Sequence, residues 1–260
     1  MKLAGPVFAS LLLLVSPLAA QTQPDAGEAP SSVETTDGQE APPEEVLAAF
    51  TRLVDRGEAR KLFGLPQETF WRRSGALDVA LLADDWQALE PLLKSAVAPF
   101  AAASGREIAV IESGPAGIAG KDVTALAPDA EMVIVVAPRT QLSEIAVAGG
   151  FNKGMLANFE MGRWPFMFAF EDDDRRRGVM LLADDEPERA REASFILATV
   201  WGLGGVTLGP ELTGLVSDSE AGPELTPLGQ EVFKLLYHDD LEVGMPLGDA
   251  VQRAETLLPQ

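Results

Sequence analysis

The sequence predicts an α+β fold: a mixed sheet of roughly four or five strands packed by helices, with a helical C-terminal end. Three observations carry that prediction. Met132–Ala137 (MVIVVA) is an unbroken, largely β-branched apolar run, as a strand buried on both faces requires. Asp84–Ser104 and Asp185–Gly205 place apolar residues at three- and four-residue spacing and run into glycine, which marks two long helices. Trp164–Phe170 and Gly178–Ala183 are strand-like runs on either side of a charged turn, EDDDRRRG, and suit a hairpin.

The chain has 260 residues, 47% of them hydrophobic, enough for one good core and a small appendage. It opens MKLAGPVFASLLLLVSPLAA: a short basic start, an apolar run, and small residues before a cut after Ala20. That is the pattern of a secretory signal peptide. The run is too short, and too interrupted by Pro6 and Pro17, to be a membrane span. The expected location is therefore periplasmic or secreted, with no stable membrane insertion after cleavage. No cysteine is present, so the fold must rely on its core rather than on disulfides. Residues 21–45 carry seven carboxylates and no basic side chain, and read as a disordered, proline-rich acidic tether. The net charge of −20 excludes general nucleic-acid binding and disfavours docking on anionic lipid.

Residues 46–70 form an N-terminal helical segment. Pro43 opens its first helix, with Val46, Leu47, Phe50 and Val54 on one side and a stop near Gly57; a second turn follows at Ala59–Phe63. Residues 71–260 make a single α+β domain. Its first strand is expected over Ala76–Leu82. Arg72 and Arg73 just before it can meet a carboxylate or a phosphate, although the weakness of exposed pairs favours a solvated position. Trp86, Leu89, Leu92, Leu93, Ala96, Val97 and Phe100 share a helix face, with Pro91 kinking the helix or offsetting its start and Gly105 ending it. Glu107–Ile111 is a short strand. The loop Gly114–Gly120 lacks the lysine and hydroxyl of a phosphate-binding loop and is a turn. Thr140–Ala148 is a brief helix. Asp172, Asp173 and Asp174 lack the spacing of a calcium loop and adjoin Arg175, Arg176 and Arg177, so a solvated turn is expected.

The helix at Asp185 has the signs of a capping box, Asp185 with Glu188, and Pro187 in its first turn. Ala190, Ala193, Leu197, Val200 and Trp201 fall on one face. Phe195, Ile196 and Ala198 fill the others, so the C-terminal half is apolar nearly all round and hence buried. Gly202, Gly204 and Gly205 end it. Val206–Pro223 reads as a loop, Leu225–Asp239 as a helix capped by Thr226 with Pro227 at its first position, and Pro246–Leu258 as a closing helix.

A zinc hydrolase of the H-E-x-x-H type needs two imidazoles one turn apart and a carboxylate between them. Counting back from Gly202, those positions are Phe195, Ile196 and Thr199, none of which supplies that chemistry. With one histidine and no cysteine in the chain, no metal and no cofactor are expected. His238 adjoins Asp239 and Asp240, yet catalysis would need a positioned nucleophile and an orienting carboxylate. There is no G-x-S-x-G elbow. Trp86, Trp164 and Trp201 are expected in the core rather than on a sugar platform.

The segments FWRRSGALDVAL, MVIVVA, VWGLGG and, above all, LTPLGQEVFKLLYHDDLEVGM at Leu225–Met245 resemble domain-of-unknown-function family 2927 over roughly Trp71–Ala254. The resemblance implies an exported bacterial protein of zincin-like layout. Family members carry polar and acidic residues on the helix before the glycine and continue into Asn-Asp. Here the helix positions are Phe195, Ile196 and Thr199, and Gly204, Gly205 and Val206 follow. No functional residue transfers. The expected function is a non-catalytic binding or interaction module, a pseudoenzyme whose partner is an envelope protein or cell-wall component. The alternatives are a hydrolase with a non-zinc, carboxylate-based site around Thr199, Asp218, Glu220 and His238, and a purely structural unit whose tether does the work.

Overall fold

The computed structural model describes residues 41–54, 69–115, 127–148, 166–172, 175–205, 212–219 and 222–259. The expected leader, most of the acidic tether, the turn at 59–63 and the stretch 151–163 lie outside the described residues. The elements are α1 (Pro43–Val54), β1 (Leu77–Ala83), α2 (Trp86–Ser104), β2 (Ile108–Gly114), β3 (Met132–Ala137), α3 (Arg139–Ala148), β4 (Phe166–Asp172), β5 (Arg175–Ala183), α4 (Glu188–Leu203), β6 (Val216–Ser219), β7 (Gly222–Leu225), α5 (Pro227–Leu236) and α6 (Leu247–Leu257).

The first five strands form one sheet in the order β2-β1-β3-β5-β4. Neighbours run parallel except β4, which is antiparallel to β5. The α+β expectation with a mixed, helix-packed sheet therefore holds. Alternation along the strands sends side chains to two cores. Val79, Leu81, Ile134, Val136, Met180 and Leu182 face the larger one, with α1, α2, α4, α5 and α6. Ala80, Leu82, Val133, Val135, Val179 and Leu181 face the smaller, closed by Leu142, Ile145 and Ala146 of α3. All six residues of β3 are buried, which is why its sequence shows no polar alternation. On the larger side, Phe100 of α2 meets Phe233 of α5 edge to face at 5.0 Å. Phe50 of α1 lies 6.3 Å from Phe70, so α1 contributes to the same core as the sheet.

Several boundaries differ from expectation, each for a physical reason. Pro91 does not offset α2, which starts at Trp86 and runs through both Pro91 and Pro99. Burial of Leu89, Leu93, Ala96, Val97 and Phe100 outweighs the helical bonds those prolines forgo. β4 and β5 extend into the eight-residue charged segment, with Glu171 opposite Arg176 and Asp172 opposite Arg175 in the backbone register. The supposed loop before α5 contains a two-stranded ladder, β6 with β7. α5 itself starts as expected, the Thr226 Oγ1 accepting the Gly229 N–H at 3.0 Å, but it stops at Leu236 rather than Asp239.

Gly229 stands where the ladder meets α5. A Cβ there would press into the Leu215 carbonyl and come within 3.0 Å of Leu225 Cδ2. Because the first obstacle is backbone, Gly229→Ala should cost about 1–3 kcal/mol. The expected reading is a lower denaturant midpoint with an unchanged slope; an unaltered midpoint would mean that the ladder moves freely against α5.

Candidate functional site

α4 begins later than its sequence suggests. Its N-cap is Pro187, with no side-chain cap, because the residue before a proline is biased away from helical geometry. The expected capping box does not form. Asp185 instead accepts Arg139 Nε at 3.1 and 3.0 Å, and Glu186 accepts Arg139 Nη2 at 2.7 Å. Ala193 is exposed, so the expected apolar stripe does not reach the first turns. From Ser194 to Leu203 every residue is buried. The three positions at which a metallohydrolase would hold its ion and base are inside the core: Phe195 is 0%, Ile196 6% and Thr199 2% exposed. Each large apolar side chain so placed is worth about 1.5–3 kcal/mol to the fold. The Thr199 hydroxyl donates to the Phe195 carbonyl at 2.8 Å, which leaves it a helix-internal group.

The glycines that close α4 are required by what they touch. Gly204 has φ +116 and donates to the Val200 and Trp201 carbonyls, a left-handed C-cap. A Cβ on it would lie 2.7 Å from the Cα of Arg72, and one on Gly202 would lie 2.7 Å from Leu77 Cδ2. The end of α4 is thus pressed against the segment that enters β1.

That segment supplies the donors for two helix ends. Arg73 Nε donates to the Gly202 carbonyl at 2.7 Å, and the Arg73 N–H to that of Leu203 at 3.1 Å. Arg72 Nη1 donates to the carbonyls of Leu236, the last residue of α5, at 3.0 Å and of His238 at 3.1 Å. Tyr237 ties the two ends together, its hydroxyl donating to the Leu203 carbonyl at 2.8 Å. The expectation that Arg72 and Arg73 face solvent is corrected: Arg72 is buried, and the Arg73 guanidinium lies 4.0 Å from the Glu131 carboxylate. A third cation joins them. The guanidinium carbons of Arg72 and Arg106 lie 5.3 and 5.0 Å from the centre of the Tyr237 ring. Burial, then the like charge of Arg106, holds the Arg72 pKa below its ordinary value, while Tyr237 and Asp239 act the other way. Burial raises the Tyr237 phenol above its ordinary value against the pull of all three arginines. Sequence reasoning missed this cluster, apart from naming Arg72 and Arg73.

Of the hydrolase candidates, two are placed in different surroundings. Thr199 is buried, whereas His238 is exposed beyond α5, with its Nδ1 accepting the Asp240 N–H at 3.2 Å. Asp218 is on β6 opposite Pro223, and Glu220 lies outside the described residues. Trp201 is part of the larger core, Trp86 is partly buried against that core, and Trp164 is outside the described residues. Among the described residues no three His, Cys, Asp or Glu side chains are grouped to hold a metal ion. Compared with known proteins, the chain matches no family model, no curated sequence and no solved structure.

Two consequences are measurable. Replacing Arg72 by Met keeps much of the stem but removes the donor shared by two carbonyls. Arg72→Met should cost about 1.5–3 kcal/mol in chemical denaturation, and a loss near zero would show that water takes its place. At the other end of the sheet, burial holds the Glu186 carboxyl above its ordinary value even beside Arg139. A raised carboxyl favours the native state at low pH, and that contribution is lost as pH rises through the shifted value. Arg139 offsets the loss by pairing with the charged form, and it lowers the pKa of exposed Asp185. Arg139→Ala should therefore cost up to about 1 kcal/mol at neutral pH. The deficit should shrink as pH falls through the glutamate range, in paired melting curves; one independent of pH would locate the role of Arg139 in packing alone.

Proposed function

We propose that this chain is an exported, non-catalytic binding module of zincin-like layout, related to the resembled family, whose partner is an envelope protein or cell-wall component. The observation that carries the reading is the burial of Phe195, Ile196 and Thr199 within α4. In the resemblance, those positions are the polar and acidic ones. Here they hold the helix against the sheet, and putting ion ligands there would bury charge in place of hydrocarbon. The solvent position of His238 also speaks against a carboxylate-and-histidine site centred on Thr199. The leader-like first twenty residues support export. No described helix is long and apolar enough to cross a membrane.

The test has two parts. Protein purified without chelator should contain no stoichiometric zinc and should leave peptide and glycan panels uncleaved. Stoichiometric zinc, or a hydrolysis that Thr199→Val or His238→Ala abolishes, would overturn the reading. Capture from envelope extract should recover one component, survive deletion of residues 21–40, and be lost when Phe195→Asp breaks the core. Loss on deleting 21–40 instead would place binding in the acidic segment.

A further inference from the structure

We propose that the Arg106 guanidinium, lying on the Tyr237 ring beside Arg72 at the amino ends of β1 and β2, is a receptor for a phosphate oxyanion. Arg72 and Arg73 are explained by the helix ends they cap, but Arg106 is not. It follows the C-cap of α2, is half-buried, and donates to the Ser74 carbonyl at 3.2 Å while lying on the Tyr237 ring. One main-chain acceptor uses little of a guanidinium with five N–H groups in a planar fork. Two such groups on a single ring repel one another, and exposed Asp239 draws on Arg72.

A doubly charged tetrahedral anion suits that imbalance, because planar guanidinium groups pair with phosphate through parallel hydrogen bonds. The neighbouring turn Ser74–Ala76 is exposed and adds a hydroxyl, and a Cβ on Gly75 would meet nothing within 4 Å. With a net charge of −20 the protein repels anions at long range, so the contact must be local and sensitive to salt. The site lies away from the α4 positions that carry the proposed function, and it stands or falls independently of them.

The same phosphate chemistry can come from free phosphate or from a phosphorylated headgroup. Full-length protein is titrated with inorganic phosphate by calorimetry, and separately sedimented with phosphatidylcholine vesicles, with and without phosphatidic acid. Phosphate binding is expected, weakened at least about tenfold by Arg106→Gln and less by Arg106→Lys, which keeps the charge but not the fork. Unchanged melting temperatures would show that the variants remain folded. Sedimentation with phosphatidic acid vesicles that is also lost in Arg106→Gln assigns the phosphate to a lipid headgroup; its absence assigns it to a soluble phosphate. The proposal is overturned by wild-type protein that does not bind phosphate, by folded Arg106→Gln that binds it equally well, or by vesicle binding without phosphate binding.

Discussion

Two helices end against the entrance to the sheet, and the carbonyls of their last turns have no intrahelical partners. Water cannot serve acceptors that are buried between packed elements, and each left unpaired would cost about 1–3 kcal/mol. Arg72 and Arg73 meet that need from one dipeptide. The first serves the end of α5, and the second the end of α4. Their charge also suits the negative end of each helix dipole. Burying Arg72 is thus acceptable because two carbonyl dipoles face it, although Arg106 adds a like charge nearby. The positions of α4, α5 and the start of β1 are set together at this junction, and Tyr237 closes it by binding Leu203.

The junction constrains what α4 can be. A helix whose end touches the Arg72 backbone, and whose last ten residues are enclosed, cannot turn a face to solvent without separating from β1. Its interior positions are therefore subject to the packing of Leu77, Val200 and Trp201 before any chemistry. Phe195 and Ile196 are consistent with that priority. A metal site would need the opposite: a helix face open to water on one side and polar at three positions one turn apart.

Much of this was legible from local patterns. The β3 run, the face of α2, the Thr226 cap and the glycine end of α4 follow from periodicity, branching and φ preferences, all read within one element. The ladder of β6 and β7 was not legible, because each strand is four residues long and VSDS has little apolar alternation. The start of α4 was misread because Asp185 has two possible partners, a backbone N–H or Arg139, and Arg139 comes from another helix. The fate of Arg72 and Arg73 was hidden for the same reason at greater range. Their acceptors lie 164 and 129 positions further along the chain, and nothing local distinguishes a capped arginine from a solvated one. The hydrolytic candidates were chosen by residue type and by position on α4, and the fold puts Thr199 and His238 in different environments.

The charges also sort along the sheet. Asp84, Asp85, Asp184, Asp185 and Glu186 gather where the strands end and α2 and α4 begin, whereas Arg72, Arg73 and Arg106 gather where the strands start. Parallel strands joined by helices place helix N-termini at one edge and C-termini at the other, so acids and bases are each favoured where they are found. That segregation is a property of the architecture and calls for no ligand. The exception is the use to which a charge is put. Arg139 sits at the wrong end for a cation, and two carboxylates hold it there. Arg106 sits at the right end but serves no helix carbonyl. Its guanidinium is directed instead to a turn and an aromatic ring already shared with Arg72. Architecture accounts for its location and not for its company, and an incoming oxyanion would relieve the repulsion between the two guanidiniums.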